Sequence, residues 1–432
     1  MSKPSSDKGA YPAFGSPFPY AEPLWYSRNV SPHYNDSHRK LRAFVRKYVD
    51  EELLPNAFEW ESAGEAWKRH VEMGFVGLAT GLSNIKTPAD IPLDQWDSWH
   101  SLVVNDELSR VAYTGVLWGL GGGNGIGVPP IVNFGTQAQK DQFLPGVANG
   151  TIRFCLGITE PDAGSDVAGI KTTAIRQGNN YIVNGSKKWI TNAIWADYVT
   201  AAVRTGGSGA GGVSVLIIPL KASGVSTRKM YNSGVGASGS TFITFEDVVV
   251  PVENLIHKEN RGFEVIMSNF NAERKSIATQ AIRLSRVCAE DAWRHAITRE
   301  TFGVKLIENA IIRAKFAKMG RMIEPAQAFL EQLTWLIELN RKSGKDDVRI
   351  GGMTAMLKVV STRCLEKCVR EAQQVMGGLG YARGGKGGRI EAISRDVRVM
   401  AVGGGSEEIM SELAIREETK DLKKYAAASS KL

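Results

Sequence analysis

A chain of 432 residues is too long for one ordinary hydrophobic core and is expected to form two or three domains. Its composition, 43% hydrophobic and 23% charged, is typical of a globular protein, and no apolar run reaches the ~18 residues that a membrane helix needs. The net charge of +8 comes from basic residues interspersed with acids, which argues against a nucleic-acid-binding surface, and the four cysteines and six histidines lack the spacing of a disulfide framework or a metal site.

The N-terminal part of the sequence predicts an arm followed by a helical domain. Residues 1–34 are expected to form an extended arm, because residues 1–25 are rich in Pro, Ser and Gly and lack the features of a signal peptide or presequence. Residues 35–154 alternate apolar and charged positions at helical spacing, which predicts an N-terminal helical domain. Within that domain, segments 81–95 and 119–130 are predicted to separate helices.

The middle of the sequence, residues 155–261, predicts a β-domain. Short β-branched runs bounded by turn residues, such as those at 181–183, 198–200, 213–218 and 242–250, favour a compact β-barrel or sandwich. Glycines 234, 236 and 239 have the spacing of a dinucleotide-binding loop, but a strand-like run follows them where that loop requires a helix. We therefore interpret this segment as a turn before a strand.

The C-terminal part predicts a helical bundle over residues 262–418, with one break at 377–388, and a tail over residues 419–432. The chain is thus expected to be an α+β multidomain protein. Its last residues, Ser430-Lys431-Leu432, match the peroxisomal targeting signal. They predict a peroxisomal location and binding to the peroxisomal import receptor.

Glu273 is the most informative single residue, because a carboxylate occurs in the middle of an apolar helical stripe. Desolvating a carboxylate is costly, so it requires either an ion-pair partner or a raised pKa. A salt bridge to a neighbouring helix and a role in catalysis are both compatible with this position. The apolar residues of the stripe are Ile266, Phe270, Ile277, Ala281, Leu284 and Cys288.

Six ordered blocks of the sequence together resemble the acyl-CoA dehydrogenase family over residues 35–418. They are residues 154–166, 187–192, 245–251, 299–303, 374–381 and 395–396. The resemblance implies a helical domain, a β-domain and a four-helix C-terminal domain. It also implies FAD as the cofactor, an acyl-CoA as the substrate, and a homo-oligomer, dimer or tetramer, with FAD at the subunit interface.

The resemblance further implies which residues contact the ligands. The expected FAD contacts are Leu156, Thr159, Ser165, Trp189, Ile190, Thr191, Arg299, Phe302, Gln374, Gly377, Gly378, Ser406 and Glu408, with Gln374, Gly377 and Gly378 supplied by a neighbouring subunit. The expected substrate contacts are Ser165, Phe270, Arg274, Gly404 and Gly405. One departure is Ala310, where many members carry Gln, and it puts one adenosine-side contact in doubt.

The resemblance also bears on the catalytic base. Most members carry a Glu in a loop after Arg-Asp, but Gly404 occupies that position here, and nitroalkane oxidases keep an Asp there. A minority, including isovaleryl-CoA and long-chain enzymes, carries the Glu on a helix before an Arg, and Glu273-Arg274 matches that arrangement. Glu273 is therefore expected to remove the α-proton of the thioester while flavin N5 accepts the β-hydride.

Three alternatives stay open at this point. A peroxisomal enzyme of this family is either a dehydrogenase or an oxidase-like enzyme that is reoxidised by O₂. A non-catalytic flavin-binding relative is a further possibility, which the intact Glu273-Arg274 pair argues against. Gly121-Gly122-Gly123 either opens the acyl pocket or forms a plain interhelical loop.

Overall fold

The structure is a computed structural model that describes residues 14–27, 31–63, 67–344 and 348–429. Its N-terminal part is helical, as predicted. After a short first helix, seven more precede the first strand. The helices are α1 (Leu24–Ser27), α2 (Asp36–Tyr48), α3 (Ala57–Ala63), α4 (Trp67–Glu72), α5 (Ser98–Leu108), α6 (Thr114–Gly127), α7 (Pro129–Phe134) and α8 (Gln137–Ala148).

The prediction of a break at 119–130 is wrong, because most of that glycine-rich segment is helix α6. Glycine lowers helix propensity by about 1 kcal/mol per residue relative to alanine, so the helix depends on packing. A methyl group on Gly119, Gly123 or Gly127 would lie 2.5–2.7 Å from a carbonyl oxygen of Ala237, Phe154 or Cys155. The glycines thus allow α6 to lie directly against the β-domain, and the alternative of an interhelical loop at 121–123 is also wrong.

The β-domain is one eight-stranded sheet with the order β6-β7-β3-β2-β4-β5-β8, in which β1 also pairs with β4 in parallel. β2 and β4 share a single residue pair, Thr173 with Arg204, so the sheet divides there into two halves. Side chains of both halves form one apolar core between them. The strands are β1 (Phe154–Gly157), β2 (Thr173–Gln177), β3 (Asn180–Ile190), β4 (Tyr198–Arg204), β5 (Val213–Pro219), β6 (Val225–Lys229), β7 (Thr241–Pro251) and β8 (Leu255–Ile256).

The turn before β7 confirms the interpretation of the glycine pattern at 234–239. Residues Gly236–Ser238 form one 3₁₀ turn, and β7 begins at Thr241, so no helix follows the glycines. A methyl group on Gly234 would lie 2.5 Å from the carbonyl oxygen of Arg395. These glycines therefore serve the packing of the β-domain against the C-terminal helices.

The C-terminal part is helical but is interrupted more often than predicted, since the described residues also leave the helical state at 297–309, at 344 and 348–350, and at 403–406. The first break contains a two-stranded hairpin, β9 (Glu300–Thr301) with β10 (Val304–Lys305). The described helices are α9 (Gly262–Ala296), α10 (Ala310–Ser343), α11 (Gly351–Met376), α12 (Gly388–Val402) and α13 (Glu407–Ser429). None of the described helices is long and apolar enough to span a membrane.

The two ends of the chain differ from expectation where they are described. Residues 14–27 are not an extended arm, because Trp25 and Tyr26 are buried and pack with α2 and α5. Helix α13 continues through most of the segment predicted as a tail. Ser430-Lys431-Leu432 lies outside the described residues, so the targeting signal stays a prediction.

Helix α9 connects the parts of the molecule, because its side chains enter three separate cores. Val265 and Ile266 pack with α7, α8 and the outer face of β4 and β5. Ala278 and Ile282 belong to the core of the N-terminal helices. The remainder of α9 packs within the C-terminal bundle against α10, α11 and α12.

Candidate functional site

Glu273 lies on α9 at the point where the apolar stripe passes from one core to another. Before it, Ile266 and Phe270 pack toward the β-domain, and after it Ile277 and Leu284 pack into the C-terminal bundle. The stripe predicted from the sequence is therefore present, but it is divided between two cores. Glu273 occupies the gap between them; the residue as a whole is half-buried, and its carboxyl group is desolvated.

The surroundings of Glu273 favour a protonated carboxyl group. Burial raises its pKa from 4.5 to about 8, against the opposing effects of the Arg274 charge and a hydrogen bond from Asn269. Asn269 Nδ2 donates to Glu273 Oε1 at 2.6 Å. Among the described residues, no cation lies within salt-bridge distance of the carboxylate. The salt-bridge alternative for Glu273 is thereby removed within the described chain.

Arg274 is directed at the loop between α12 and α13 and forms no salt bridge with its neighbour Glu273. Its Nε donates to the carbonyl oxygen of Gly404 at 3.0 Å, and its guanidinium lies 5.1 Å from the ring of Phe270. The structure thus brings together Glu273, Phe270, Arg274 and Gly404, four residues that the sequence assigned to one site.

Gly404 has little room for a side chain. Its φ of +69° is in the left-handed region, and an added methyl group would lie 3.2 Å from Ile277 Cδ1 and 3.7 Å from Arg274 Cγ. The position from which most relatives are expected to supply a base therefore points at the turn of α9 that carries Glu273. The glycine on the loop thus leaves room for Ile277 and Arg274, the α9 side chains that flank Glu273.

Lys358 on α11 holds the same loop from the other side. This buried ammonium group donates to the carbonyl oxygens of Ala401 and Gly405, the latter at 2.7 Å. Burial and the nearby Arg274 charge lower its pKa to about 8. Sequence reasoning missed Lys358, since its partners are backbone carbonyls that leave no mark in the sequence.

The predicted flavin contacts of the β-domain lie around a distortion in β3. The register between β3 and β7 shifts between Lys187 and Ile190, and Trp189 has a φ of +68°. Such bulges occur next to functional sites, where they redirect a side chain. The Trp189 indole is 53% exposed although it belongs to a strand, so an aromatic face is presented to solvent.

Thr159 is connected to this bulge by two hydrogen bonds. Its hydroxyl donates to the carbonyl oxygen of Lys188, and its own carbonyl accepts from the Lys188 N–H at 2.9 Å. Thr191 follows at the end of the bulge, and a methyl group on Gly122 of α6 would lie 3.3 Å from its Cγ2. Thr159, Trp189 and Thr191 are therefore gathered at one edge, next to α6.

A buried ion pair fixes the loop that precedes this edge. Glu160 Oε1 lies 2.7 Å from Lys187 Nζ, and its two carboxylate oxygens also accept the backbone N–H groups of Lys171 and Thr172. Burial would raise the pKa of Glu160, but the Lys187 charge and these hydrogen bonds lower it. The sequence motif contains both residues, yet their pairing across 27 positions was not predicted.

Asn192 and Asp396 join the domains around the site. Asn192 accepts the Gly123 N–H at 2.7 Å and donates to carbonyl oxygens of Trp118 and Ser238. Asp396 accepts the N–H groups of Val235 and Thr114, and burial raises its pKa to about 6. These two residues of the recognised blocks therefore act in the structure as interdomain connections.

The other predicted ligand residues are distributed between interior and surface. Leu156 and Ile190 belong to the β-domain, and Ser165 is exposed on the loop after β1. Arg299 and Phe302 lie at the β9–β10 hairpin, with Phe302 fully exposed at a φ of +53°. The remaining residues are Gln374, Gly377 and Gly378 at the exposed end of α11, Gly405 and Ser406 in the loop before α13, and Glu408 at its start.

Three residues that the sequence left unconnected form a cluster away from this site. His38, Asp97 and His100 lie together at the N-termini of α2 and α5. Each ring nitrogen has a partner: His38 contacts Asp97 and the Asn35 N–H, while His100 contacts Asp97 and the Ser37 hydroxyl. The contacts close two helix caps, which accounts for the cluster as a structural one.

Comparison with known proteins gives one consistent result. Models of the acyl-CoA dehydrogenase N-terminal, middle and C-terminal domains match residues 35–151, 155–248 and 260–418. The chain is 48% identical to Acyl-CoA dehydrogenase AFT10-1 of Alternaria alternata, over 95% of this chain and 98% of that protein.

Solved structures agree with the family models. A probable acyl-CoA dehydrogenase from Mycobacterium abscessus is 35% identical with a TM-score of 0.79, covering 89% of this chain and 99% of its own. An acyl-CoA dehydrogenase from Bacillus anthracis, solved in complex with FAD, shares the fold with a TM-score of 0.79 at 24% identity, over 91% of this chain and 69% of its own.

Proposed function

The chain belongs to the acyl-CoA dehydrogenase family, and we propose that it desaturates an acyl-CoA thioester between the α and β carbons, with Glu273 as the base. The observation that carries the proposal is the carboxylate of Glu273, which has a pKa raised to about 8 by burial and lies on the helix whose Arg274 and Ile277 pack against Gly404. A base with a pKa near the working pH is well suited to proton abstraction.

The cofactor is FAD, and the described residues fit a planar ring. The bulge at Lys188–Trp189 presents an exposed indole, and Thr159 and Thr191 lie beside it. Bound FAD supplies the acceptor for the β-hydride. The proton that leaves the α-carbon goes to Glu273, so two electrons and two hydrogens leave the substrate as one proton and one hydride.

The residues of the chain have separate parts in this proposal. Glu273 holds and receives the proton, and Phe270 with Arg274 forms the wall of the site on α9. Gly404 leaves space for the side chains of Ile277 and Arg274 on the neighbouring helix. Lys358 and Arg274 fix the loop that contains Gly404. Arg299, Phe302, Gln374, Gly377, Gly378, Ser406 and Glu408 are proposed to complete FAD binding in a homo-oligomer, in which Phe302 becomes covered.

The test is reduction of bound FAD by a panel of acyl-CoA thioesters without oxygen, followed as bleaching of the flavin spectrum. At least one chain length should bleach the wild-type protein, and Glu273→Gln should slow the reduction by roughly 10²–10⁴-fold, the usual contribution of a general base. Glu264→Gln is the matched control, because Glu264 lies on the same helix but pairs with His257 and Arg261 at the surface. No bleaching by any thioester would remove the proposal, and an undiminished rate in Glu273→Gln would place the base elsewhere.

The peroxisomal location is a second proposal, which rests on the sequence alone. Ser430-Lys431-Leu432 matches the signal that the import receptor reads at a C-terminus. A fluorescent protein fused to the N-terminus should collect in peroxisomes with the intact chain and stay diffuse when these three residues are removed. Diffuse signal from the intact chain would contradict the proposal.

A further inference from the structure

Asn269 connects the proposed base to a different domain. It lies one helical turn before Glu273 on α9 and is itself buried. Its amide nitrogen donates to Glu273 Oε1 at 2.6 Å and to the carbonyl oxygen of Ile126, near the end of α6, at 3.0 Å. Both hydrogens of one amide group are therefore engaged, one by the carboxylate and one by the backbone of the N-terminal domain.

The carbonyl of Ile126 is available because of the sequence that follows it. In an α-helix this oxygen would accept from the N–H of residue 130, or from residue 129 in a tighter turn. Pro129 and Pro130 have no N–H, although the chain continues from α6 through Val128, which has helical dihedral angles, into α7. The oxygen thus lacks a helical donor, and a backbone acceptor inside a protein requires another partner.

This arrangement determines the orientation of the Asn269 side chain. Turning the amide over would direct its oxygen at both the Ile126 carbonyl and the Glu273 carboxylate, which are acceptors themselves. The donor side must therefore face Glu273. A hydrogen bond from a neutral amide favours the ionised carboxylate and fixes its rotamer, whereas burial alone favours the protonated form.

We propose that Asn269 is a positioning residue for Glu273, held by the Ile126 carbonyl that Pro129-Pro130 leaves without a helical donor, and that it keeps the carboxylate aimed and ionisable. This inference rests on the proposed function of Glu273 as the base. It assigns a role to a residue outside the recognised motifs, and it makes the α6–α7 junction part of the catalytic arrangement.

Other charged groups surround Asn269 and Glu273, and they are unchanged in the variants described below. Arg274 is the neighbour on α9, and Lys358 faces it from α11. Glu407 and Glu408 at the start of α13 act on Lys358. A change in the titration of Glu273 after substitution of Asn269 is therefore attributable to the lost hydrogen bond.

The test compares Asn269→Leu, which keeps the approximate shape without the donor, with Asn254→Leu as a matched control. Asn254 also donates its amide to a backbone carbonyl, that of Ile217 at 2.7 Å, but it lies in the β-domain and does not contact Glu273. In Asn269→Leu the pH midpoint of anaerobic flavin reduction should rise by ~1 unit. The rate below that midpoint should fall roughly tenfold, since one pKa unit is a factor of ten in the ionised fraction. Asn254→Leu should keep the wild-type midpoint.

Pro130→Ala provides a second variant that retains Asn269. It restores an N–H that also donates to the Ile126 carbonyl, so the anchor of the Asn269 amide is weakened while the donor to Glu273 remains. The rate at high pH should fall, and the midpoint should rise by less than in Asn269→Leu. If Asn269→Leu does not fold, an unchanged rate and midpoint in Pro130→Ala overturn the proposal, as does an unchanged midpoint in a folded Asn269→Leu.

A measurement that is independent of turnover separates this inference from the proposed function. The free energy of unfolding is measured against pH for the protein that carries Glu273 and for the Glu273→Gln variant. The difference between the two proteins reports the ionisation of Glu273 directly. Its midpoint should be higher in the Asn269→Leu background than in the wild-type background. If no thioester reduces the flavin but this midpoint still moves, the proposed function fails and the role of Asn269 in holding Glu273 stands. If the wild-type flavin is reduced and neither midpoint moves, the inference on Asn269 fails alone.

Discussion

Two glutamates of this protein are both withdrawn from solvent but have opposite acid–base properties. Glu22, in the N-terminal segment, and Glu273, on α9, both undergo desolvation, which by itself raises the pKa of each carboxyl group. At Glu22 the charges of Arg283 and Arg46 reverse the effect and lower the pKa to about 2. At Glu273 the opposing interactions are weaker, and the pKa rises to about 8.

The partners explain the difference. Arg46 contacts both oxygens of Glu22 at 2.6 and 3.0 Å, and Arg283 adds a third contact at 3.0 Å. Glu107 and Asp106 share the same arginines. Glu273 receives one hydrogen bond from a neutral amide, while the guanidinium of its neighbour Arg274 is directed at the Gly404 carbonyl. Burial alone thus does not distinguish a structural acid from the proposed base, whereas the number of cations within contact distance separates the two glutamates.

The largest effect is expected when the ion-pair network is broken. Glu22→Gln removes a carboxylate from two buried arginines and should lower the free energy of unfolding by about 3 kcal/mol at pH 7. Urea denaturation measures the loss. Glu51→Gln is the control, because Glu51 and Lys47 form an exposed pair with 3.9 Å between the charged groups. Its loss should stay within about 0.5 kcal/mol. Equal losses in the two variants would contradict the assignment of Glu22 to a buried network.

Removing the carboxylate of Glu273 is expected to have the opposite effect on the free energy of unfolding. The pKa of Glu273 is raised in the folded protein, so folding favours the protonated carboxyl group. The stability that Glu273 provides is therefore fully present below pH 4.5 and is lost as the pH rises toward 8. Glu273→Gln should therefore be more stable than the wild type above pH 8, by on the order of 2 kcal/mol, and the gain should disappear near pH 4. Glu22 has the reverse window, since its contribution is present above pH 4.5 and is lost toward pH 2. Denaturation curves at pH 4, 6 and 9 distinguish these profiles, and a loss of stability in Glu273→Gln at pH 9 would contradict them.

A smaller effect is expected from Arg274, whose charge lowers the pKa of Glu273 while burial raises it. Arg274→Gln removes this charge, so the pKa of Glu273 should rise further. The midpoint of flavin reduction should shift upward by ~0.5–1 pH unit, and the shift should shrink in high salt wherever solvent reaches the pair. Arg261→Gln, at the exposed start of the same helix, should leave the midpoint unchanged. A downward shift in Arg274→Gln would show that Arg274 acts on the site in another way.

The sequence predicted the domain order correctly because helical and strand periodicities are local properties. It failed at α6, where the glycines indicate a loop by local propensity but are required by carbonyl groups of Phe154 and Cys155 that approach from another domain. It also failed at residues 14–27. The proline-rich sequence there gives no sign that Glu22 is buried, because its partners Arg46 and Arg283 are 24 and 261 positions away.

At the site, the sequence predicted Glu273 as the base from its position in an apolar stripe and from the resemblance to the family, most members of which carry an acid where this chain has Gly404. The helical period is visible in the sequence, but the meaning of Gly404 comes from the family resemblance, since the apolar stripe alone left catalysis and a salt bridge both open. Asn269 was missed for a different reason. Pro129-Pro130 signals that a carbonyl near the end of α6 lacks a helical donor, but only the folded chain shows which side chain satisfies it and that the same amide reaches Glu273.

The pH dependence of anaerobic flavin reduction by a reactive acyl-CoA tests the central claim most directly. If an isolated, buried Glu273 is the base, the rate should rise about tenfold per pH unit below its pKa and level off above pH 8, since only the ionised carboxylate accepts the proton. In Glu273→Gln the rate should be strongly reduced and should no longer show this pH dependence. A wild-type rate that is constant between pH 6 and 9, or a Glu273→Gln variant with the wild-type rate and profile, would contradict the account.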